Sequence, residues 1–188
     1  MIEALAPIAL HAPPELGLDD EKFFELCVAN DELQIEREAN GDIIIMSPES
    51  WSSCKGNSIL NYYFEAWARQ DRTGEVFGPS GGFTLPNGAV RAPDVVWATH
   101  KRINALPDSE WTRFPRVVPE FVLELRSKSD RVDRLKKKME EYIKNGVSMG
   151  WLLDPSNKQV YIYKKGVKTK ILNDPAEVSG DPLLKGFR

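Results

Sequence analysis

Two short runs with strand periodicity each set a carboxylate among apolar residues, and this limits the folds open to the 188-residue chain. In Glu120 to Asp130, EFVLELRSKSD, the residues Phe121, Leu123 and Leu125 alternate with Val122, Glu124 and Arg126. A strand here buries one apolar face and carries a carboxylate and a guanidinium on the other. In PDVVWA, the same period puts Asp94 with Val96 on one face and Val95 with Trp97 on the other. Burying a carboxylate without a partner costs on the order of several kcal/mol or shifts its pKa. Two acids in neighbouring core strands therefore need a cation. A divalent metal is the simplest supplier, and hard oxygen ligands suit Mg²⁺ or Mn²⁺, which keep waters and need only one or two protein carboxylates.

Apolar residues make up 41% of the chain and charged residues 28%, an ordinary globular composition. The length fits one domain. Residues 1–18 read as a flexible leader broken by Pro7, Pro13 and Pro14, and 19–188 as a single domain. No apolar run approaches a membrane span, and the N-terminus lacks the basic region of a signal peptide, so a soluble, cytoplasmic protein with no membrane partner is expected. Cys27 and Cys54 sit in unrelated contexts and read as reduced thiols. A net charge of −3 argues against a surface that grips nucleic acid all over. The run RSKSDRVDRLKKK, from Arg126 to Lys138, concentrates basic residues and leaves a local patch open.

The element order follows from periodicity and punctuation. Asp19 or Asp20 caps a helix over DDEKFFELCVAND, with a stripe of Phe23, Phe24, Leu26, Cys27 and Val28. LQIEREANGDIIIMSP reads as a hairpin around Asn40-Gly41. A longer helix runs from Ser50 to about Asp71, with Ile59, Leu60, Tyr63, Phe64 and Trp67 at helical spacing. A meander of short strands then ends in PDVVWA, and residues 99–119 read as a surface loop. After EFVLELRS comes a helix with Val132, Leu135, Met139, Tyr142 and Ile143 on one face, closed by Gly146. VSMGWLLD and QVYIYKK are strands joined by DPSNK, and the tail from Ile171 packs along an edge. The class is α/β (α+β): a mixed β-sheet flanked by helices, with an N-terminal helix and β-hairpin.

Arg126 lies roughly 7 Å from Glu124 along the same face by strand rise. It can pair with Glu124 or hold a phosphate, but it cannot exchange a proton near neutral pH. On the following helix Lys138 borders the apolar face, Lys137 points away, and Lys136 sits at the opposite border. Lys138 is the one placed to bury its stem and send its ammonium across the sheet. Arg126, Lys136 and Lys138 are thus the candidate substrate-binding cations. The plainer alternatives are a Glu124–Arg126 ion pair on a solvated face and a solvated lysine-rich helix. Glu49, just past the hairpin, and Glu36, within it, are candidate additional acids, with ordinary exposed glutamates as the alternative. His11 and His100 lie apart in a leader and a loop, which speaks against histidine-based or zinc chemistry. Trp51, Trp67 and Trp111 could stack on a base, but core or edge packing is the expectation.

The set RAPDVVWA, PEFVLELRSKSD, LKKKMEEYIKNGV and GWLLDP resembles the Uma2 family of endonucleases, within the PD-(D/E)XK restriction-endonuclease-like superfamily. The hairpin ending IIIMSPES and the stretch GGFTLPNGAVRAPD are also similar to that family, so the resemblance covers most of the chain from about residue 20. It implies a restriction-endonuclease-like core and a Mg²⁺- or Mn²⁺-dependent endonuclease acting on DNA. By motif position Asp94 and Glu124 resemble the metal-binding acids. Arg126 stands where the superfamily has lysine, and Lys138 resembles a lysine moved to the following helix. The resemblance implies that Lys138 orients the nucleophile or steadies developing charge while Arg126 grips an adjacent phosphate. The competing expectation is a catalytically reduced module of the same fold that binds nucleic acid or a protein partner without cleavage. A two-carboxylate glycosidase, active without metal, is a third. Two cuts in a duplex call for a homodimer.

Overall fold

A computed structural model describes residues 7–188. Asp19 caps α1 (Asp20–Val28) by accepting the Lys22 N–H at 2.9 Å, satisfying one of the donors that a helix start leaves open. Phe23 enters the interior, while Val28, at the end of the expected stripe, stays exposed. The Asn40-Gly41 turn, with Gly41 at φ +92°, joins β2 (Gln34–Arg37) to β3 (Ile43–Met46) in antiparallel register. Glycine is the residue that takes this left-handed conformation without steric cost. Part of the segment read as a flexible leader is tied down, because β1 (Ile8–Leu10) pairs with β3. Residues 1–6 of that segment lie outside the described residues.

α2 (Trp51–Asp71) begins at Ser50, whose hydroxyl accepts the Ser53 N–H, and buries Asn57, Phe64 and Ala68 on one face. The stretch after it is divided between two sheets instead of forming one meander. β4 (Gly74–Phe77) pairs with β7 (Val95–Thr99), whereas β5 (Phe83–Thr84) pairs with β6 (Val90–Arg91), which also meets β2. Pro86 and Pro93 lack the N–H that a continuous ladder needs, and Gly88 turns the chain at φ +88°, so the short strands leave one sheet and return. The surface segment that follows holds α3 (His100–Ile103) and a 3₁₀ turn at Asp108–Glu110.

β8 (Phe121–Leu125) and β9 (Met149–Asp154) are parallel neighbours joined by α4 (Val132–Lys144), the crossover that parallel strands require. β10 (Gln159–Lys164) returns antiparallel, and β11 (Val167–Asn173) completes the edge. The sequence VKTKILN does not announce this last strand, because its side chains lie largely in solvent and bury no clean alternating face. The result is a six-stranded mixed sheet, β11-β10-β9-β8-β7-β4, beside a five-stranded antiparallel sheet, β1-β3-β2-β6-β5.

The two faces of the mixed sheet are covered differently. Met139 and Tyr142 of α4 pack with Val96, Val122, Leu152 and Tyr161, together with Phe83 of β5 and Leu85 just beyond that strand. α4 rides so close to the sheet that a Cβ on Gly150 would meet the Met139 methyl at 2.4 Å. On the other face Phe64 and Ala68 of α2 pack with Val95, Trp97, Phe121, Leu123 and Trp151. The C-terminal segment returns over this face, where Leu184 is buried and Phe187 stacks on Phe64 with ring centroids 4.1 Å apart. Among the described residues no helix is long and apolar enough to cross a membrane.

Candidate active site

The antiparallel register of β7 and β8 pairs Val95 with Leu123 and Val96 with Val122. Continued by one residue, it sets Asp94 opposite Glu124, and directly opposed side chains share a face. The backbone around Asp94 is held tightly. Its Oδ2 accepts the Leu125 N–H at 2.6 Å, and its carbonyl accepts Asn61 Nδ2 at 3.0 Å. Its Oδ1 accepts Asn57 Nδ2 at 2.8 Å, and the same nitrogen donates to Glu49 Oε1 at 2.8 Å. Asn57 thus bridges an acid on the loop before α2 to the acid at the start of β7.

Glu124 is 5% exposed, on the α4 side of the sheet. Its Oε1 accepts the Tyr142 hydroxyl at 2.9 Å and lies 2.8 Å from Lys138 Nζ. Lys138 also reaches Glu36 Oε1 at 2.8 Å. Glu36, on β2, is 3% exposed; it also accepts the Ala92 N–H at 3.0 Å and pairs with Arg91. The guanidinium of Arg91 is further shared with Glu38 and Glu141. The second sheet is therefore joined to the first through one lysine held between two carboxylates.

Electrostatics follow from this crowding. Burial, followed by the charge of Glu124, pushes the Asp94 carboxyl up to about 7, although the Leu125 N–H and Lys138 oppose the rise. Burial also raises Glu124, against the lowering effect of Lys138. Glu49 rises for the same reason, with Asp130 adding to it. Glu36 goes the other way: its burial is outweighed by Lys138 and Arg91, which hold it below the usual carboxylate range. Lys138 itself is held protonated by Glu124 and Glu36 despite its burial. The cluster thus carries more anion than its own cations neutralise comfortably, and the deficit falls on Asp94 and Glu124.

The donor set is made of hard oxygens, which suits a small divalent cation. Asn57 Oδ1 is buried and finds no hydrogen-bond partner among the described residues. Among those residues no group of three or more His, Cys, Asp or Glu is gathered so as to hold a metal ion. Asp94 and Glu124 face one another across β7 and β8 as a pair, and Mg²⁺ or Mn²⁺ needs only one or two protein carboxylates.

Of the cations read from the sequence, only Lys138 joins the acids. Arg126 turns to the neighbouring strand, where its NH1 contacts both Asp154 oxygens at 2.9 and 3.0 Å and its Nε donates to the Asp130 carbonyl at 3.3 Å. Parallel β9 brings a wholly buried carboxylate beside it, and that fixed partner holds the guanidinium instead of Glu124. Lys136 lies 4.8 Å from the Tyr161 ring centroid, over β10 and away from the acids. Glu36 and Glu49, for which exposed positions were the alternative, are both drawn into the cluster. Trp51, expected to pack in the core or at an edge, is 94% exposed on the first turn of α2, whereas Trp67 packs against Trp97.

A family model described as "Putative restriction endonuclease", Uma2, matches residues 20–188. The chain belongs to the Uma2 family. A crystal structure of a putative nuclease belonging to DUF820, from Anabaena variabilis ATCC 29413, superposes with a TM-score of 0.68 at 19% identity, covering 81% of this chain and 84% of that one. At that identity the likeness establishes the fold, which is restriction-endonuclease-like. No curated protein matches the chain. Within this Uma2 chain the sequence reading missed Asn57, Tyr142, Arg91 and Asp154 as polar members of the site and its surroundings. A signal existed for Asn57: with Phe64 and Ala68 it falls at helical spacing on the buried stripe of α2, where an amide needs a polar partner.

Proposed function

We propose that the chain is a metal-dependent endonuclease that hydrolyses phosphodiester bonds of DNA, with Asp94 and Glu124 holding Mg²⁺ or Mn²⁺. The observation that carries this reading is the burial of these two acids on adjacent strands, with a charge that Lys138 does not balance and that raises both. Membership of the Uma2 family supports a nucleic-acid substrate. When bound, such an ion polarises a phosphate oxygen and lowers the pKa of a water.

The chain's own residues do the rest. The Leu125 N–H and the Asn57 amide fix the Asp94 carboxylate, and the Tyr142 hydroxyl and Lys138 both hold Glu124 Oε1, which fixes the second carboxylate in turn. The Lys138 ammonium stays protonated beside Glu124, where it steadies negative charge that develops on a phosphate. Arg126, with its guanidinium on Asp154, keeps the end of β8 in place next to β9. A cytoplasmic homodimer would supply the two sites that cutting both strands of a duplex requires, and light scattering tests the assembly.

The decisive experiment incubates supercoiled plasmid with the purified protein, with Mg²⁺, with Mn²⁺, and with chelator, beside Asp94→Ala, Glu124→Ala and Lys138→Ala. Nicking by the wild type that chelator and each acid variant abolish is the expected result. Nicking that persists in Asp94→Ala rejects the metal-site assignment. A second reading is favoured by the saturation of Lys138 between Glu36 and Glu124: a module that binds nucleic acid or a protein partner without cutting. It predicts DNA retention with no nicking in either metal.

A further inference from the structure

We propose that Asn57 belongs to the metal centre, its amide nitrogen joining Glu49 to Asp94 and its amide oxygen facing the divalent ion or one of that ion's waters. This rests on the metal reading above and extends it to a residue type that the acid motif does not include.

The argument starts from the orientation of the amide. An Asn side chain offers two N–H donors and one oxygen acceptor. Here two carboxylate oxygens, Glu49 Oε1 and Asp94 Oδ1, each lie 2.8 Å from one atom of the amide. An amide oxygen in that place would need a proton on both acids at once, so that atom is the NH₂ group, and both of its hydrogens are spent. The oxygen is thereby fixed on the same planar group, beside the same two acids. It is buried, in a residue only 5% exposed, and has no donor among the described residues. Leaving a buried carbonyl without a partner costs the desolvation of that group. A cation or its hydration shell would satisfy it, on an amide whose nitrogen already holds two carboxylates.

The position is also independent of the catalytic strands. Asn57 lies on α2, and α2 is pinned to β7 separately by Asn61, whose Nδ2 donates to the carbonyls of Asp94 and Asn57. Gly56 brings the helix against Leu125, where an added Cβ would lie 2.7 Å from the leucine methyl. Replacing the Asn57 side chain therefore leaves the helix docked while removing the amide from the acids.

The test measures Mn²⁺ binding by electron paramagnetic resonance, with no substrate present, on the wild type, Asn57→Leu and Asn57→Asp. Thermal melting of each protein is recorded with and without the ion. Asn57→Leu removes both donors and the oxygen at similar volume, and is expected to weaken Mn²⁺ binding about 10- to 100-fold while still melting cooperatively. Asn57→Asp keeps an oxygen in place and loses the donors. It is expected to hold Mn²⁺ at least as well as the wild type, and its melting temperature is expected to rise more on adding the ion. Equal affinity in the wild type and Asn57→Leu overturns the role of Asn57 and leaves the metal site standing. Weakening in Asn57→Asp as large as in Asn57→Leu overturns the assignment of the oxygen. A wild type that binds no Mn²⁺ overturns the metal reading itself, and this inference with it.

Discussion

Asp94 Oδ2 accepts the backbone N–H of Leu125 at 2.6 Å, so the first acid is anchored to the residue that directly follows the second acid, Glu124. The spacing of the two carboxylates is in this way part of the hydrogen bonding between β7 and β8. It cannot relax by side-chain rotation alone without taking the acceptor from that half-buried N–H, and the mutual repulsion of the acids is retained in the folded state.

A pH dependence of stability follows. Asp94 is raised from 3.8 to about 7 by burial and then by Glu124. Between these values the folded protein keeps a proton that the unfolded chain has lost. Unfolding releases it, and stability falls as pH rises across that window and levels off above it. Glu124, also raised, acts in the same direction. Glu36 is lowered from 4.5, so its contribution is lost as pH falls from there, at the acid end of this window and below the range measured next. Urea midpoints measured from pH 5 to pH 8 (about the span of this titration) should decline without divalent ions and decline less with Mn²⁺. A midpoint that rises with pH contradicts the account.

Lys138→Met should destabilise the fold strongly. It keeps much of the stem volume but leaves Glu36 and Glu124 buried without their shared cation, a loss of about 3–5 kcal/mol by comparison with other broken buried pairs. Adding Glu36→Gln should restore part of that loss, because one stranded charge is removed. A double-mutant cycle in urea measures the coupling, and strict additivity would show that the two groups do not interact.

Arg126→Ala should behave as a stability variant. Asp154 is fully buried and is held below the usual carboxylate range, against its burial, by Asn157 and Arg126. Losing the guanidinium should lower the urea midpoint by an amount comparable to a broken buried pair, about 3 kcal/mol or more. Mn²⁺ affinity should be unchanged, since Arg126 touches neither Asp94 nor Glu124. Loss of Mn²⁺ binding with an unaltered midpoint would reverse this assignment.

The two thiols should differ in reactivity. Burial pushes Cys27 up to about 11, with Arg37 only partly opposing, whereas Cys54 is exposed. The thiolate is the reactive form. A chromogenic disulfide reagent near neutral pH should therefore label Cys54 quickly and Cys27 slowly, and Cys54→Ser should abolish the fast phase.

Much of the site was legible because single residues announced it. Asp94 and Glu124 broke otherwise apolar strand faces, and the border position of Lys138 on α4 followed from helical geometry alone. Glu36 and Glu49 could only be candidates, since nothing in a hairpin strand or a loop states which side of it another sheet or helix will cover. Arg126 shows the converse limit. Its place on the Glu124 face was readable, but its partner Asp154 comes from a parallel strand 28 residues later in the chain.

The sequence by itself determined the elements that carry a period or a punctuation mark: the Asn40-Gly41 hairpin, α2 and α4, and the strands bearing Asp94 and Glu124. These depend on local sterics and on which face is apolar, and both are written in neighbouring residues. Only the tertiary structure decided that the meander splits between two sheets, that VKTKILN closes an edge, and that Asn57 bridges Glu49 to Asp94. Those outcomes depend on which buried polar group finds which partner across the fold, and that pairing is settled by packing distances that no local pattern encodes.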